Sequence, residues 1–346
     1  MKSLQCSRET DQWQELNRKV AFLQRADSYP EKTSEIKSIQ THMSWVFLTD
    51  EHAYKLKKPV DLHYLKLCSL EARRLNAEKE ISLNQDLAPG IYLKTIPLIL
   101  TKKQKLQVGG PVGDGRIVDW LVLMKRFPQD QTLEQKMLRN DLNWSQIREA
   151  AQFISQFYLK AESVNISGEA YCSRLERYVR ENYQALSQKR YGLDLDEIDK
   201  IHKAQLECLL YGSEAFYKRV LEGRIIEGHG DLRPEHICLN SPPIIVDRLE
   251  FNQELRTLDP VDELSYLTIE CSFLGYPEIG ECFMHIYRET THDQIDERVI
   301  GFYRSFRSSL RAKISLWHLD DERVLNKDKF KKKAALYLNF AKKILE

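Results

Sequence analysis

Ile226–Asp247, reading IEGHGDLRPEHICLNSPPIIVD, packs His229, Asp231, His236 and Asp247 into one short unit. Ile237–Leu239 and Ile244–Val246 are brief apolar runs parted by Asn240-Ser241-Pro242-Pro243. That spacer is rich in turn formers, so two short strands joined by a turn are predicted. Folding such a hairpin returns Asp247, at the end of the second strand, to the side of Asp231 and His236, just before the first. Two carboxylates and an imidazole at one rim make a place to hold a metal ion and to take a proton from a hydroxyl.

The rest of the chain is long enough to support such a site. With 346 residues, 42% of them hydrophobic, it can bury one large core or two modest ones. Lysine and arginine total 52 against 51 acids, a net charge of +1, so neither nucleic acid nor a membrane surface is an expected partner. No apolar run approaches the roughly 20 residues needed to span a bilayer. The polar start MKSLQCSRETDQWQ lacks the apolar stretch of a signal peptide, and the seven cysteines form no C-x-x-C pair. A cytoplasmic protein with reduced thiols is expected.

Outward from the opening segment, the texture divides the chain. Residues 8–25 carry Trp13, Leu16, Val20 and Leu23 at helical spacing, and Ser28-Tyr29-Pro30 ends that helix. Ser44–Leu48 and Ala53–Leu56 read as strands, residues 69–87 as a helix opened by Ser69 and closed by Gly90, and Ile91–Leu100 and Val118–Met124 as further strands. Gly109-Gly110-Pro111 and Gly113-Asp114-Gly115 supply the loop between the last two. After Pro128, helices are expected over Leu133–Met137, Trp144–Glu162, Tyr171–Leu186 and Ile198–Glu222, then the hairpin, then helices to the C-terminus. The reading gives a helical extension (1–38), a β-rich part (39–127) and a helical part (128–346).

His229-Gly230-Asp231-Leu232-Arg233-Pro234-Glu235-His236 resembles the H-R-D-L-K-P-E-N catalytic loop of protein kinases, with His236 in place of the final Asn. The glycine after the first histidine is the form used by aminoglycoside phosphotransferases and choline kinases. Asp259-Pro260 and Glu263-Leu264-Ser265 resemble the D-P-x-x-D-L-A segment of that superfamily, with Glu263 in place of Asp. Four further blocks, Thr41–Leu48, Tyr54–Val60, Leu87–Leu93 and Glu250–Arg256, are similar to a bacterial branch named after aminoglycoside phosphotransferases. Many members of that branch fuse this module to a P-loop kinase domain. The resemblance covers residues 39–270 and implies an α+β, bilobal protein kinase-like fold with a β-rich N-lobe and a helical C-lobe. The implied activity is transfer of the γ-phosphoryl group of ATP to a hydroxyl of a small molecule, with Mg²⁺ as the metal and Mn²⁺ as an alternative. A separate P-loop kinase is an implied partner.

The same resemblance distributes roles. Asp231 would orient and deprotonate the acceptor hydroxyl, His229 would hold the loop, and Arg233 would either stabilise the transferred phosphate or stand in solvent. Asp247 would bind the metal. Lys55, closing Ala53-Tyr54-Lys55, would hold the nucleotide phosphates, with Lys57 on the same strand face in reserve. Its carboxylate partner would be Glu80, with Glu78 the competitor. Met124, Lys125, Arg126 and Phe127 would form the hinge whose backbone meets adenine.

Two departures from the protein-kinase pattern matter. No G-x-G-x-x-G is present, and Thr41-His42-Met43-Ser44 takes its place, leaving the Ser44 hydroxyl and local backbone for phosphate. Nor is there a G-x-x-x-x-G-K-[ST], which excludes a P-loop enzyme. Where the family supplies an Asn oxygen to a second metal, His236 offers an imidazole, which Mg²⁺ favours less than later metals do. Three readings stay open: a one-metal enzyme, an altered metal preference, or a nucleotide-binding pseudokinase with a regulatory role. Glu250 would supply the missing oxygen. Arg307 and Arg311, one turn apart, read either as an anion site or as a solvated basic face, and Glu263 and Glu270 are too few for an aminoglycoside site.

Overall fold

The computed structural model describes residues 2–62, 65–111, 113, 115–320 and 326–344. Asp114 of the expected glycine-rich loop and the last two residues of the chain lie outside them. The chain divides into two compact units, Met1–Gln129 with Ile244–Gln253, and Asp130–Pro243 with Glu254–Glu346.

The first unit holds helix α1 (Lys2–Leu23), strands β1 (Lys37–Gln40), β2 (Ser44–Leu48) and β3 (His52–Lys57), a ribbon of β4 (Asp61–Leu62) and β5 (Leu65–Lys66), helix α2 (Leu70–Asn84), and strands β6 (Tyr92–Thr101), β7 (Leu106–Val108) and β8 (Gly115–Lys125). Six strands form one antiparallel sheet in the order β1-β2-β3-β8-β6-β7. Both faces are covered, and the two-residue period of a strand decides what each side chain meets. On β3, Tyr54 and Leu56 point into a core with Leu16, Val20 and Leu23 of α1 and with Phe47, Leu98 and Leu121. Ala53 faces the other way, toward Ala77 of α2 and Tyr92, Val122, Met124 and Val246. Lys55 and Lys57 share that second face by periodicity. The N-terminal helix is therefore built into this unit rather than standing as an extension, because its apolar stripe is one wall of the sheet's core.

The opposing stripe of α2 is unusual. Arg73, Asn76, Ala77, Glu80 and Asn84 are its buried residues, at helical spacing but mostly polar. Ser69 caps the helix, its hydroxyl accepting from Ala72 N at 3.1 Å.

The second unit contains α3 (Leu133–Leu138), α4 (Trp144–Lys160), α5 (Gly168–Leu186), α6 (Leu195–Tyr211), α7 (Ser213–Leu221), β9 (Ile226–Glu227) and β10 (Ile237–Cys238). β11 (Ile244–Ile245) belongs to the first unit, after which come α8 (Gln253–Arg256), β12 (Thr257–Leu258), α9 (Pro260–Phe273), α10 (Pro277–Thr291), α11 (Glu297–Trp317) and α12 (Lys327–Lys343). Both strands expected from the opening segment are present. The single helix expected over 198–222 is broken at Gly212 into α6 and α7. Helix α9 is buried from Pro260 to Cys271, so it is the centre around which α10 and α11 pack. Among the described residues no helix is long and apolar enough to cross a membrane.

Candidate functional site

In the first unit, five ionisable side chains form one chain of alternating sign. Lys55 Nζ lies 2.7 Å from Glu80 Oε1 and 2.8 Å from Asp247 Oδ1. Lys57 Nζ bonds Glu80 Oε2 and Glu250 Oε1. Glu80 is fully buried and sits between both lysines, whereas Glu78 pairs with Arg74 on the outside of α2. Lys57 is thus a second, buried member of the cluster. Burial opposes charge on Lys55, but the Asp247, Glu80 and Glu250 carboxylates outweigh it and hold its pKa well above the ordinary lysine value. Burial likewise works against the Glu80 carboxylate, and the two lysines overcome it, keeping its pKa below the usual range.

Asp247 is the open end of this chain, its side chain 46% exposed. Its backbone is held in the left-handed region at φ 63°, a conformation a non-glycine residue keeps only when its surroundings fix it. Here Asp247 N donates to Tyr92 Oη at 3.0 Å, and Arg248 N donates to Asn84 Oδ1 at 2.9 Å. The buried polar stripe of α2 thereby grips both the lysines and the segment that carries Asp247.

Beside the lysines, the face of the sheet turns apolar. Ile39, Val46, Ile81, Phe127 and Ile244 are only partly buried against the cluster of Ala53, Tyr92, Val122 and Met124. Val46 is the direct cross-strand neighbour of Lys55. These side chains leave an apolar patch on the sheet face that carries the lysines. Ile39, Val46 and Ile244 were not legible as site residues, because lone aliphatics on a strand carry no chemical signature. Of the expected hinge, Lys125 N donates to Ile91 O and Arg126 N to Glu51 O, both at 2.8 Å. Those amides are spent internally. Ser44 is buried, and its Oγ has no hydrogen-bond partner among the described residues.

In the second unit, Asp231 stands on a loop fixed from below. His229 N donates to Glu263 Oε2 at 3.0 Å, Gly230 N donates to Glu263 Oε1, and Tyr158 Oη donates to Glu263 Oε2 at 2.7 Å. Gly230 has φ +88°, open to glycine at little cost, and a Cβ on Gly228 would lie 2.9 Å from Glu263 Oε2. Buried His229 accepts from Asp231 N through Nδ1 at 3.2 Å, a positioning contact. His236 Nδ1 lies 2.8 Å from Asp231 O, so the ring donates there and any metal would have to be met through Nε2. Tyr266 Oη donates to Asp231 Oδ1 at 3.2 Å, and Arg233 Nε lies 3.6 Å from the same oxygen. Burial raises the cost of the Asp231 charge, but Arg233, His236, His229 and Arg311 together leave its pKa below the ordinary aspartate value.

Glu263→Ala would take the Glu263 acceptor from the buried His229 amide and the part-buried Gly230 amide. It is expected to lower stability by about 1–3 kcal/mol for each, read as a reduced urea midpoint. An unchanged midpoint would remove Glu263 from this role.

Three solved structures share this fold. A choline/ethanolamine kinase family protein from Mesorhizobium loti aligns with TM-score 0.56 at 14% identity, covering 95% of each chain. The chain has the fold of choline kinase- and aminoglycoside phosphotransferase-like proteins. The GDP complex of aminoglycoside 2'-phosphotransferase-IIIa aligns with TM-score 0.52 at 15% identity, covering 91% of this chain and 94% of that one. A thermostable mutant of aminoglycoside phosphotransferase APH(4)-Ia gives TM-score 0.52 at 9% identity with the same coverage. No family model matches the sequence. Uncharacterized proteins of Mycobacterium tuberculosis and Mycobacterium bovis are 27% identical over 283 residues, 80% of this chain and 53% of each relative. The chain therefore spans about half the length of the curated relatives it matches.

Within the phosphotransferase-like fold, both readings of the α11 arginines need correction. Arg307 bonds Asp262 through two nitrogens, each at 2.6 Å, and Arg311 bonds Glu270 at 2.9 and 3.3 Å. Both are buried, so they form neither a solvated face nor an uncommitted anion site. Glu263 and Glu270 are likewise spent, on the His229 and Gly230 amides and on Arg311 with Tyr337. Asp259 of the Asp259-Pro260 segment caps α9 and pairs with Arg219 at 2.7 Å.

Proposed function

We propose that this protein transfers the γ-phosphoryl group of ATP to a hydroxyl of a small molecule. The observation that carries the reading is Lys55 held between fully buried Glu80 and half-exposed Asp247. A phosphoryl-transfer site needs a fixed cation for the phosphates and a carboxylate to orient it, and this cluster supplies both. The Ser44 Oγ, which has no hydrogen-bond partner among the described residues, and the apolar patch around Val46 and Phe127 support placement of the nucleotide on the same sheet face. The fold shared with small-molecule phosphotransferases supports the reaction class.

The residues present fit a magnesium ion. Mg²⁺ takes one or two carboxylates and completes its shell with water and substrate phosphates rather than with an all-protein cage. Asp247 and Glu250 would hold it, and among the described residues no set of three or more His, Cys, Asp or Glu forms a closed cage. When bound, the metal neutralises charge on the phosphoryl oxygens. His236 fits Mg²⁺ less well, since imidazole suits later metals. The acceptor hydroxyl gives its proton to Asp231 as its oxygen bonds the γ-phosphorus and the bond to the ADP oxygen breaks. Asp231 is a weak base, so placing the nucleophile is its larger contribution.

A second reading, nucleotide binding without turnover, rests on His236 standing where the family has Asn. Turnover of ATP by the wild type and by His236→Asn, with Mg²⁺ and with Mn²⁺, separates the two. Mg²⁺-supported turnover is expected in both proteins. His236→Asn should change it by less than about tenfold, since an amide can still donate to Asp231 O. Binding without turnover under either metal would establish the second reading.

A further inference from the structure

The Lys57 side chain is 1% exposed, and the two carboxylates it bonds, through Glu80 Oε2 and Glu250 Oε1, are themselves buried. Shut off from solvent, its ammonium group cannot meet a nucleotide phosphate, so it is no substitute for Lys55. Stability does not call for it either, because well-packed apolar side chains often match a buried ion pair. A lysine kept at this position acts through the two glutamates.

The two arms of the cluster end alike. Glu80 gives one oxygen to each lysine, Oε1 to Lys55 and Oε2 to Lys57. Lys55 goes on to Asp247, and Lys57 to Glu250 on the same segment. Both lysines belong to one face of β3, so a single buried carboxylate on α2 sets where both ammonium groups stand. The acids they hold are the pair that fits a magnesium ion. Among the described residues only Oε1 of Glu250 is bonded, which leaves Oε2 for a cation. Carboxylates that ligate a metal are commonly oriented by such a contact from behind, and its loss costs about 10–100-fold in metal affinity or activity.

Resting on the phosphotransferase reading, we propose that Lys57 is a positioning residue that aims Glu250 at the divalent cation. The hold on the metal then depends on a side chain that does not touch it. Charge alone argues the other way. The cluster sets three carboxylates against two ammonium groups, and Lys57→Met leaves three against one, which attracts a cation more strongly. The sign of the change therefore separates aiming from charge.

The test counts Mn²⁺ bound to the nucleotide-free full chain by loss of the free-ion electron paramagnetic resonance signal. It also measures the Mg²⁺ concentration that half-activates ATP turnover. Wild type, Lys57→Met, Lys57→Gln, Glu250→Gln and the double variant Lys57→Met/Glu250→Gln are compared. Lys57→Met should weaken Mn²⁺ binding by about tenfold or more and raise the half-activating Mg²⁺ likewise, with kcat at saturating Mg²⁺ within a factor of about three of wild type. On the Glu250→Gln background, Lys57→Met should add no further loss. Lys57→Gln keeps a donor beside Glu250 and should weaken Mn²⁺ less; it carries the comparison if circular dichroism shows Lys57→Met to be unfolded. Unchanged or tighter Mn²⁺ binding in the Lys57 variants, or losses that multiply in the double variant, overturn the proposal. So does a wild type that binds no Mn²⁺. The expected Mn²⁺ pattern without any ATP turnover supports the proposal and overturns the phosphotransferase reading. Turnover whose Mg²⁺ requirement is unmoved by Lys57→Met overturns the proposal and leaves that reading standing.

Discussion

Asp231→Asn is expected to lower kcat for phosphoryl transfer by roughly 10²–10⁴-fold, the usual contribution of a positioned proton acceptor. The substitution is nearly isosteric. An asparagine oxygen can still accept from Tyr266 Oη, and the loop keeps its backbone bonds to Glu263 and to His229 Nδ1. What is lost is the negative charge beside Arg233 and the capacity to take the hydroxyl proton. Far-UV circular dichroism and the melting temperature should therefore stay close to wild type while turnover falls. Retention of most of the turnover by a folded variant would remove Asp231 from the mechanism. The pH profile offers a second check on the same residue. Its pKa is depressed, so the working carboxylate is present above the ordinary aspartate value of about 3.9 and is lost only as pH falls through the lower folded value. No acid limb from Asp231 should appear between about pH 5 and 8. A limb near pH 6 that vanishes in Asp231→Asn would contradict the cationic surroundings described above.

The sequence disclosed the loop well and the walls of the site poorly, and the difference is physical. His229, Asp231 and Asp247 lie within 19 consecutive residues, where spacing and turn chemistry act together. The sheet strands were visible because Ser44–Leu48 and Ala53–Leu56 are short runs rich in aromatic and aliphatic residues on either side of the turn Thr49-Asp50-Glu51-His52. Lys57 was legible only as a reserve for Lys55 on the same strand face; that both lysines belong to one cluster depends on the glutamate that the helix opposite buries between them. That helix conceals its inward side. An amphipathic search looks for apolar residues at helical spacing, whereas α2 buries Arg73, Asn76, Glu80 and Asn84. The available signal was the polar stripe itself at 73, 76, 80 and 84, read as hydrogen-bonding surface. Arg307 and Arg311 failed in the opposite sense. Each has its carboxylate on α9, 45 and 41 residues away, which no local pattern announces.

The largest effect on stability should come from Glu80. Removing one member of a buried ion pair leaves the other charge uncompensated, at a cost of about 3–5 kcal/mol. Glu80→Leu strands two ammonium groups at once, on Lys55 and Lys57. Each keeps a second partner, Asp247 for Lys55 and Glu250 for Lys57, which places the expected loss near the lower end of that range. For a domain of this size the melting temperature should fall by on the order of ten degrees. The double variant Glu80→Leu/Lys57→Met distinguishes a stranded charge from a mere packing defect. Deleting the second buried charge should restore part of the stability, because replacing a whole buried pair by apolar side chains is often neutral. Additive losses in the double variant would show that Lys57 and Glu80 do not act on one another. The acid dependence carries the same sign. Glu80 has a depressed folded pKa, so its contribution is present above the unfolded carboxylate value and disappears as pH falls through the folded one. Wild type should lose stability on acidification through that window, and Glu80→Leu should lose less. A wild-type and variant pair with parallel stability curves from pH 7 down to pH 3 would show that Glu80 is not held ionised by the two lysines.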